Sequence, residues 1–183
     1  MTTDLVTHEG PGPGDFLIRE ARPDEFEALG RLMVDVYSHL EGFPSKDEQP
    51  AYYDLLANIG RLTKQPNTGL LVAVADDNIV GGVVYVSDML HYGSGGTATQ
   101  EKAASGFRLL AVDPNGRGRG VGKALAKRCI ELAKSSGNKQ VVIHTTNAMK
   151  VAWGMYERLG FKRSIDLDFM QEKLQVFGLR LIL

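Results

Sequence analysis

The sequence predicts a single α/β domain of the mixed α+β kind, with elements in the order β-α-α-β-β-β-α-β-α-β-β. Three observations carry this. A strand, a glycine-rich turn and a helix follow one another through residues 107–126; two β-branched apolar runs, 70–75 and 79–87, are separated only by Asp76, Asp77 and Asn78; and apolar residues recur at spacings of three and four over 26–40 and 121–136. At 183 residues the chain is long enough to bury a core without disulfides or metal. Its one cysteine, Cys129, cannot form an internal disulfide and sits where a small buried apolar residue belongs.

Residues 1–14 have little to bury and end in Pro-Gly-Pro-Gly, which predicts a disordered tail before a domain spanning 15–183. His8 in that tail is expected to be solvated. A first strand is expected over 15–22, and Pro23-Asp24 with Glu25 and Glu27 then opens a helix whose apolar face is Phe26, Leu29, Met33, Val36 and Leu40. Ser45 and Glu48 read as a capping box for a second helix through Tyr52, Tyr53, Leu55, Leu56 and Ile59. The two runs around Asp76-Asp77-Asn78 form a hairpin. Residues 88–106, rich in glycine and without periodicity, form a long loop of the kind that binds or moves. Gly137-Asn138 stops the helix begun at Val121, residues 140–145 make a strand, and Thr146 or Asn147 caps a helix with Met149, Ala152, Tyr156 and Leu159 on one face. Residues 161–169 and 174–183 close the domain as an antiparallel pair.

The net charge of −1 hides a division: residues 1–60 hold 12 acidic and 4 basic side chains, residues 61–183 hold 10 and 17. The basic part suits an anionic cofactor, and the acidic part favours a cationic amine on the other side of a site. No basic stripe with interleaved aromatics points to nucleic acid, and no run approaches the ~18 apolar residues of a membrane span. The chain starts with no basic segment followed by an apolar one, so a cytoplasmic enzyme is expected.

The chemistry concentrates in the turn. Gly116, Gly118, Gly120 and Gly122 alternate with Arg117, Arg119 and Val121, and Lys123 follows, so a bare arc of backbone lies at a helix N-terminus among positive charges. Such an arc is suited to a diphosphate. A Walker loop is excluded because Ala124 follows Gly122-Lys123 and Arg117 stands five before Gly122; the dinucleotide fingerprint is excluded because no set of these glycines falls at relative positions 0, 2 and 5. What fits is Arg-x-x-Gly-x-Gly, at Arg117, Gly120 and Gly122, after Leu110-Ala111-Val112. Here the chain resembles the GCN5-related N-acetyltransferases (GNAT). Met155-Tyr156-Glu157-Arg158-Leu159-Gly160-Phe161 repeats the resemblance downstream, with the Tyr…Leu-Gly-Phe ending of that family's next helix.

The resemblance implies the GNAT acyl-CoA N-acyltransferase fold: a central, mostly antiparallel mixed sheet of about seven strands, four flanking helices and a cleft where the fourth and fifth strands, 107–112 and 140–145, splay apart. It implies acetyl-CoA as cofactor, with the diphosphate held by backbone from Arg117 through Gly118, Arg119, Gly120 and Val121 to Gly122, beside Lys123. The pantetheine arm is implied to pair with Leu110, Ala111 and Val112 as an added strand. Tyr156 is implied to be the general acid that protonates the leaving thiolate. The first two helices are implied to wall the acceptor pocket with Tyr37, His39, Phe43, Tyr52 and Tyr53.

Two departures stand out. The glutamate that some relatives use as base would fall at Gly106, Phe107 or Arg108, leaving Glu101, His91, His39, His144 or a water chain as candidates by type. Asn147 lies nine residues before Tyr156 instead of seven, and so either touches the cofactor arm or caps the helix. The leading expectation is acetyl transfer to a primary amine of a small molecule, without metal; a protein or peptide amine, or a non-catalytic acyl-CoA-binding module, are the alternatives. A homodimer is compatible with the sequence.

Overall fold

The structure, a computed structural model, describes residues 16–183; the expected tail, with His8, and the first residue of the expected domain lie outside them. The described elements are β1 (Leu17–Glu20), α1 (Phe26–Ser38), α2 (Pro50–Ala57), β2 (Thr68–Ala75), β3 (Asn78–Val86), β4 (Ala104–Val112), α3 (Val121–Ser135), β5 (Gln140–Thr145), α4 (Lys150–Arg158), β6 (Lys162–Arg163), β7 (Phe169–Gln171) and β8 (Leu174–Ile182). The strands join one sheet in the order β1-β2-β3-β4-β5-β8-β6, with β7 paired to β8. Every pairing is antiparallel except that of β4 with β5. The expected mixed, mostly antiparallel sheet and four α-helices are thus present, with eight strands among the described residues instead of about seven.

Helices cover both faces, which is why the central strands are apolar on both sides. In β2, Leu70 and Val72 face a core shared with Leu29, Met33, Tyr37, Tyr53 and Leu56 of α1 and α2. Leu71, Ala73 and Ala75 face a second core with Val121, Leu125, Ala126, Cys129 and Ala133 of α3 and Tyr156 of α4. Cys129 is fully buried as expected, and burial pushes its thiol pKa well up. Asp76 and Asp77 both take positive φ, 49° and 61°, as the tight β2–β3 hairpin requires.

Several boundaries differ from the sequence expectation. Helix α1 begins only after a 3-10 turn at Pro23–Glu25 and ends before Leu40. The Ser45–Glu48 box forms reciprocally, Ser45 N–H to Glu48 Oε2 at 2.7 Å and Glu48 N–H to Ser45 Oγ at 3.4 Å, but it closes a turn; Pro50 then starts α2. The first strand of the expected final pair, 161–169, is broken in two. Between β6 and β7 the chain leaves the ladder so that Leu167 can bury, and the Asp168 carboxylate takes the Gly178 N–H at 2.8 Å while Arg163 grips it at 2.9 and 2.7 Å. The loop 88–103 holds two 3-10 turns and is anchored by buried Met89, Tyr92 and Ala98. No helix among the described residues is long and apolar enough to cross a membrane.

Candidate active site at the fork of the sheet

The site follows from where β4 and β5 stop pairing. Their ladder consists of Ala104↔Gln140, Ser105↔Val141 and Gly106↔Val142, and beyond it the strands diverge. Tyr92 stands in the fork. Its buried hydroxyl donates to Phe107 C=O at 3.2 Å, the His144 backbone N–H lies close on the other side, and burial pushes the phenol up to about 12. Gly106 is required beneath it, since a Cβ there would fall 2.7 Å from Tyr92 Cε2, Met89 Sδ and Val142 O. A glutamate at 106 therefore has no room.

Along β4 a bulge follows. Leu109 takes φ 56°, and the register with β3 shifts between Gly82 and Val84. The extra residue flips the pleat: Phe107 faces the α3 core, whereas Leu109 and Ala111 face the α1–α2 core. On the β3 side Ala111 and Val112 pair with Gly82 and Gly81, while the side toward β5 has no strand. No strand covers 110–112 on that edge, although the Leu110 C=O there accepts the Tyr37 hydroxyl at 3.3 Å.

The glycine arc sits at the end of this strand. Gly118 and Gly120 have φ of 75° and 78°, the left-handed region that favours glycine, and a Cβ on either would meet nothing within 4 Å. Gly120 is the N-cap of α3, and the first intrahelical bond runs from Ala124 N–H to Gly120 C=O. The N–H groups of Val121, Gly122 and Lys123 thus lack partners within the helix. Gly116 does different work: a Cβ there would lie 2.9 Å from Val80 O, so it serves close packing.

A cleft of about 710 Å³ joins these parts. Leu110, Val112, Arg117, Gly118, Gly120, Val121, Gly122, Lys123 and Tyr156 all line it. Ala111 and Arg119 contribute no part of the wall, Ala111 because its side chain is buried in the α1–α2 core. Asn147 is exposed, lies outside the wall and caps nothing; Met149 holds the N-cap position of α4 without a side-chain bond. Tyr37, His39, Phe43 and Tyr52 line the far end, and Tyr53 does not, because its hydroxyl is spent on Pro44 C=O at 2.8 Å. Tyr92, Thr145 and Phe169 also belong to the wall and were not singled out from the sequence, and Thr146, expected only as a candidate helix cap, joins them. Only Tyr92's place in the long loop hinted at it.

Tyr156 packs edge-on against Phe107 and Phe161, with ring centroids 5.8 and 5.9 Å away. Burial raises its pKa, and its hydroxyl has no hydrogen-bond partner among the described residues. Of the candidate bases, Glu101 is paired with Arg180 at 2.6 Å, and neither it nor His91 lines the cleft. His39 is exposed at the rim, with Nδ1 on Asp35 C=O at 2.8 Å. His144 lies in the wall. Its Nε2 meets Leu167 C=O at 2.9 Å, and because a carbonyl only accepts, Nε2 carries the proton and Nδ1 the lone pair. Nδ1 is buried without a partner, as are Thr145 Oγ1 and Thr146 Oγ1. Burial lowers the His144 pKa, assisted by the Arg108 charge.

The expected acidic lining is absent. No Asp or Glu is among the described residues of the cleft wall, whose charged members besides histidine are Arg108, Arg117, Lys123, Lys150 and Arg158. The described acidic side chains of residues 16–60 lie outside the wall, Glu25 for one being paired with Arg19 at 2.6 Å.

Comparison with known proteins agrees with this geometry. The model of the acetyltransferase (GNAT) family matches residues 33–161. Human N-acetyltransferase 8B is 34% identical over 95 residues, which are 51% of this chain and 38% of that protein, so this chain matches well under half of that relative's length. Glucosamine 6-phosphate N-acetyltransferase of Trypanosoma brucei brucei is 30% identical over 144 residues, 73% of this chain and 89% of that protein. Among solved structures, a PaiA N-acetyltransferase from Thermoplasma acidophilum in complex with coenzyme A superposes with a TM-score of 0.68 at 14% identity, covering 90% of this chain and 98% of that one.

Proposed function

The chain belongs to the acetyltransferase (GNAT) family and is an acyltransferase; from that premise we propose that it transfers acetyl from acetyl-CoA directly to a primary amine of a small molecule. The observation that supports a small acceptor is the aromatic lining of one part of the cleft. Tyr37, Phe43 and Tyr52 line it together with Phe169, Gln171 and Val176 of the β7–β8 hairpin, a set of side chains suited to a small acceptor.

The residues present fit the donor. Open space above Gly118 and Gly120, unsatisfied helix N–H groups, and the positive side chains Arg117 and Lys123 suit its diphosphate. The edge of 110–112 that no strand covers suits its amide arm, and Thr145 Oγ1 and Thr146 Oγ1 are orphaned polar atoms in the same wall. Acetyl-CoA supplies an activated thioester. The chain's task is to place a neutral amine against it and to manage two protons. His144, held neutral by burial with a bare Nδ1, accepts the proton that the ammonium must lose. Tyr156, whose raised pKa keeps its phenol protonated, donates toward the leaving sulfur. The Tyr156 hydroxyl, without a partner among the described residues and on a side chain that lines the cleft, supports this part.

The test is thiol release from acetyl-CoA across a panel of small amines, with acetylated products identified by mass. Turnover on small amines, with none on peptides of any N-terminal residue or on lysine side chains, is the expected result. Preferential turnover on peptides would overturn the acceptor class.

A further inference from the structure

Arg108 occupies the cleft wall with no anion beside it. Its Nη1 donates to Tyr92 C=O at 2.8 Å, and its Cζ lies 5.7 Å from the centre of the Tyr92 ring. No other hydrogen bond and no ion pair engages it among the described residues, although a guanidinium offers five N–H donors. By contrast Arg19, Arg163 and Arg180 all hold carboxylates. Arg108 is partly buried, and a cation withdrawn from water without a counter-charge is unfavourable. The site is therefore incomplete as it stands.

The position of Arg108 tells which ligand completes it. Its charge acts on Tyr37 and Tyr52 of the first two helices and on Tyr92 and His144 at the fork, all of them cleft-wall residues, and it is the one cation that does so for each of them. The donor's phosphates are accounted for by the glycine arc on the other side of the β4 bulge. The missing anion thus comes with the acceptor. A planar guanidinium matches the two oxygens of a carboxylate, whereas a phosphate dianion calls for more positive charge than one arginine.

We propose that the acceptor is an amino carboxylate, a primary amine bearing a carboxylate a few bonds from its nitrogen, with Arg108 holding the carboxylate so that the nitrogen faces the Tyr156 side of the fork. The amine half of this statement rests on the acetyl-transfer reading above; the carboxylate half rests on Arg108 alone. A cationic acceptor without an anion is disfavoured by the same charge.

The test uses the full chain and matched acceptors: glycine with methylamine, alanine with ethylamine, phenylalanine with phenethylamine, aspartate with β-alanine, and O-phosphoethanolamine as the phosphate arm. Thiol release from acetyl-CoA gives kcat and KM, and calorimetry on protein saturated with desulfo-CoA gives acceptor binding without turnover. In at least one of the first three pairs the carboxylate-bearing member is favoured by about 100-fold or more, as loss of one partner from a buried charge pair produces. Arg108→Gln abolishes that ratio through KM, leaves desulfo-CoA affinity unchanged, and Arg108→Lys restores part of it. Equal or better use of the amines lacking a carboxylate, preference for O-phosphoethanolamine, absence of binding by every amino carboxylate, or a ratio unchanged in Arg108→Gln overturns the proposal. The wild-type ratios decide the matter even if the variants fold poorly. Arg108-dependent binding of an amino carboxylate with no thiol release on any acceptor would remove the acetyl-transfer reading and leave this inference standing.

Discussion

The proton roles proposed for Tyr156 and His144 each have a consequence separable from packing. Tyr156→Phe keeps the ring against Phe107 and Phe161 and loses only a hydroxyl without a protein partner. The unfolding midpoint and the affinity for acetyl-CoA should therefore be unchanged while kcat falls about 100-fold, within the range for loss of a general acid. An unchanged kcat would leave the phenol a packing residue. For His144 the lowered pKa sets a sign: the native state binds the proton less readily than the unfolded chain, so its contribution is complete above pH 6.5 and is lost as pH falls from there through the native pKa. Midpoints measured from pH 7 to 5 should fall more steeply in the wild type than in His144→Gln. Tyr156 was legible because a motif marks it. Arg108, Tyr92 and Thr145 were not, since their importance lies in what is absent around them: an anion, a ladder bond, a hydroxyl's partner.

At the scale of elements, the fork depends on β4 more than on the turn that follows it. The glycine arc and α3 could be read from spacing alone, because left-handed φ at Gly118 and Gly120 and burial of Val121, Leu125 and Cys129 are local demands. The bulge at Leu109 was hidden, since a leucine with φ 56° leaves no mark in an apolar run. So was the end of the expected strand 161–169, where Asp168 substitutes for a ladder group. Gly106 is the point at which the fork can be probed. Gly106→Ala places a methyl 2.7 Å from the Tyr92 ring and Val142 O, and overpacking of this kind costs about 1–3 kcal/mol. Calorimetric unfolding should report a loss of that order, together with weakened acetyl-CoA binding as Tyr92 is displaced. A substitution without effect on either would show that Tyr92 does not set the opening.

For the whole molecule, residues of both cores line the cleft, so a ligand seated there touches both. Desulfo-CoA at about a hundred times its dissociation constant should stabilise the folded chain by about 2.7 kcal/mol, read as a raised midpoint. ATP and NAD at equal concentration should give less. The charge-reversed pair Arg117→Glu and Lys123→Glu, both at exposed positions, should retain the fold and lose the shift. Persistence of the shift in that variant would move the diphosphate away from the arc. The order of elements followed from the sequence, whereas the seating of β8 between β5 and β6 depends on long-range pairing that no local pattern encodes.

Because β4 keeps only β3 as a strand neighbour beyond Gly106, those amide hydrogens of residues 107–112 that point into the fork have no ladder partner among the described residues. They should trade for deuterium within seconds in the free protein and slow markedly once a donor arm lies along the strand, while their β3-facing neighbours stay protected throughout. The open edge is thus a built-in isotopic reporter of occupancy, readable with unlabelled ligands and independent of turnover.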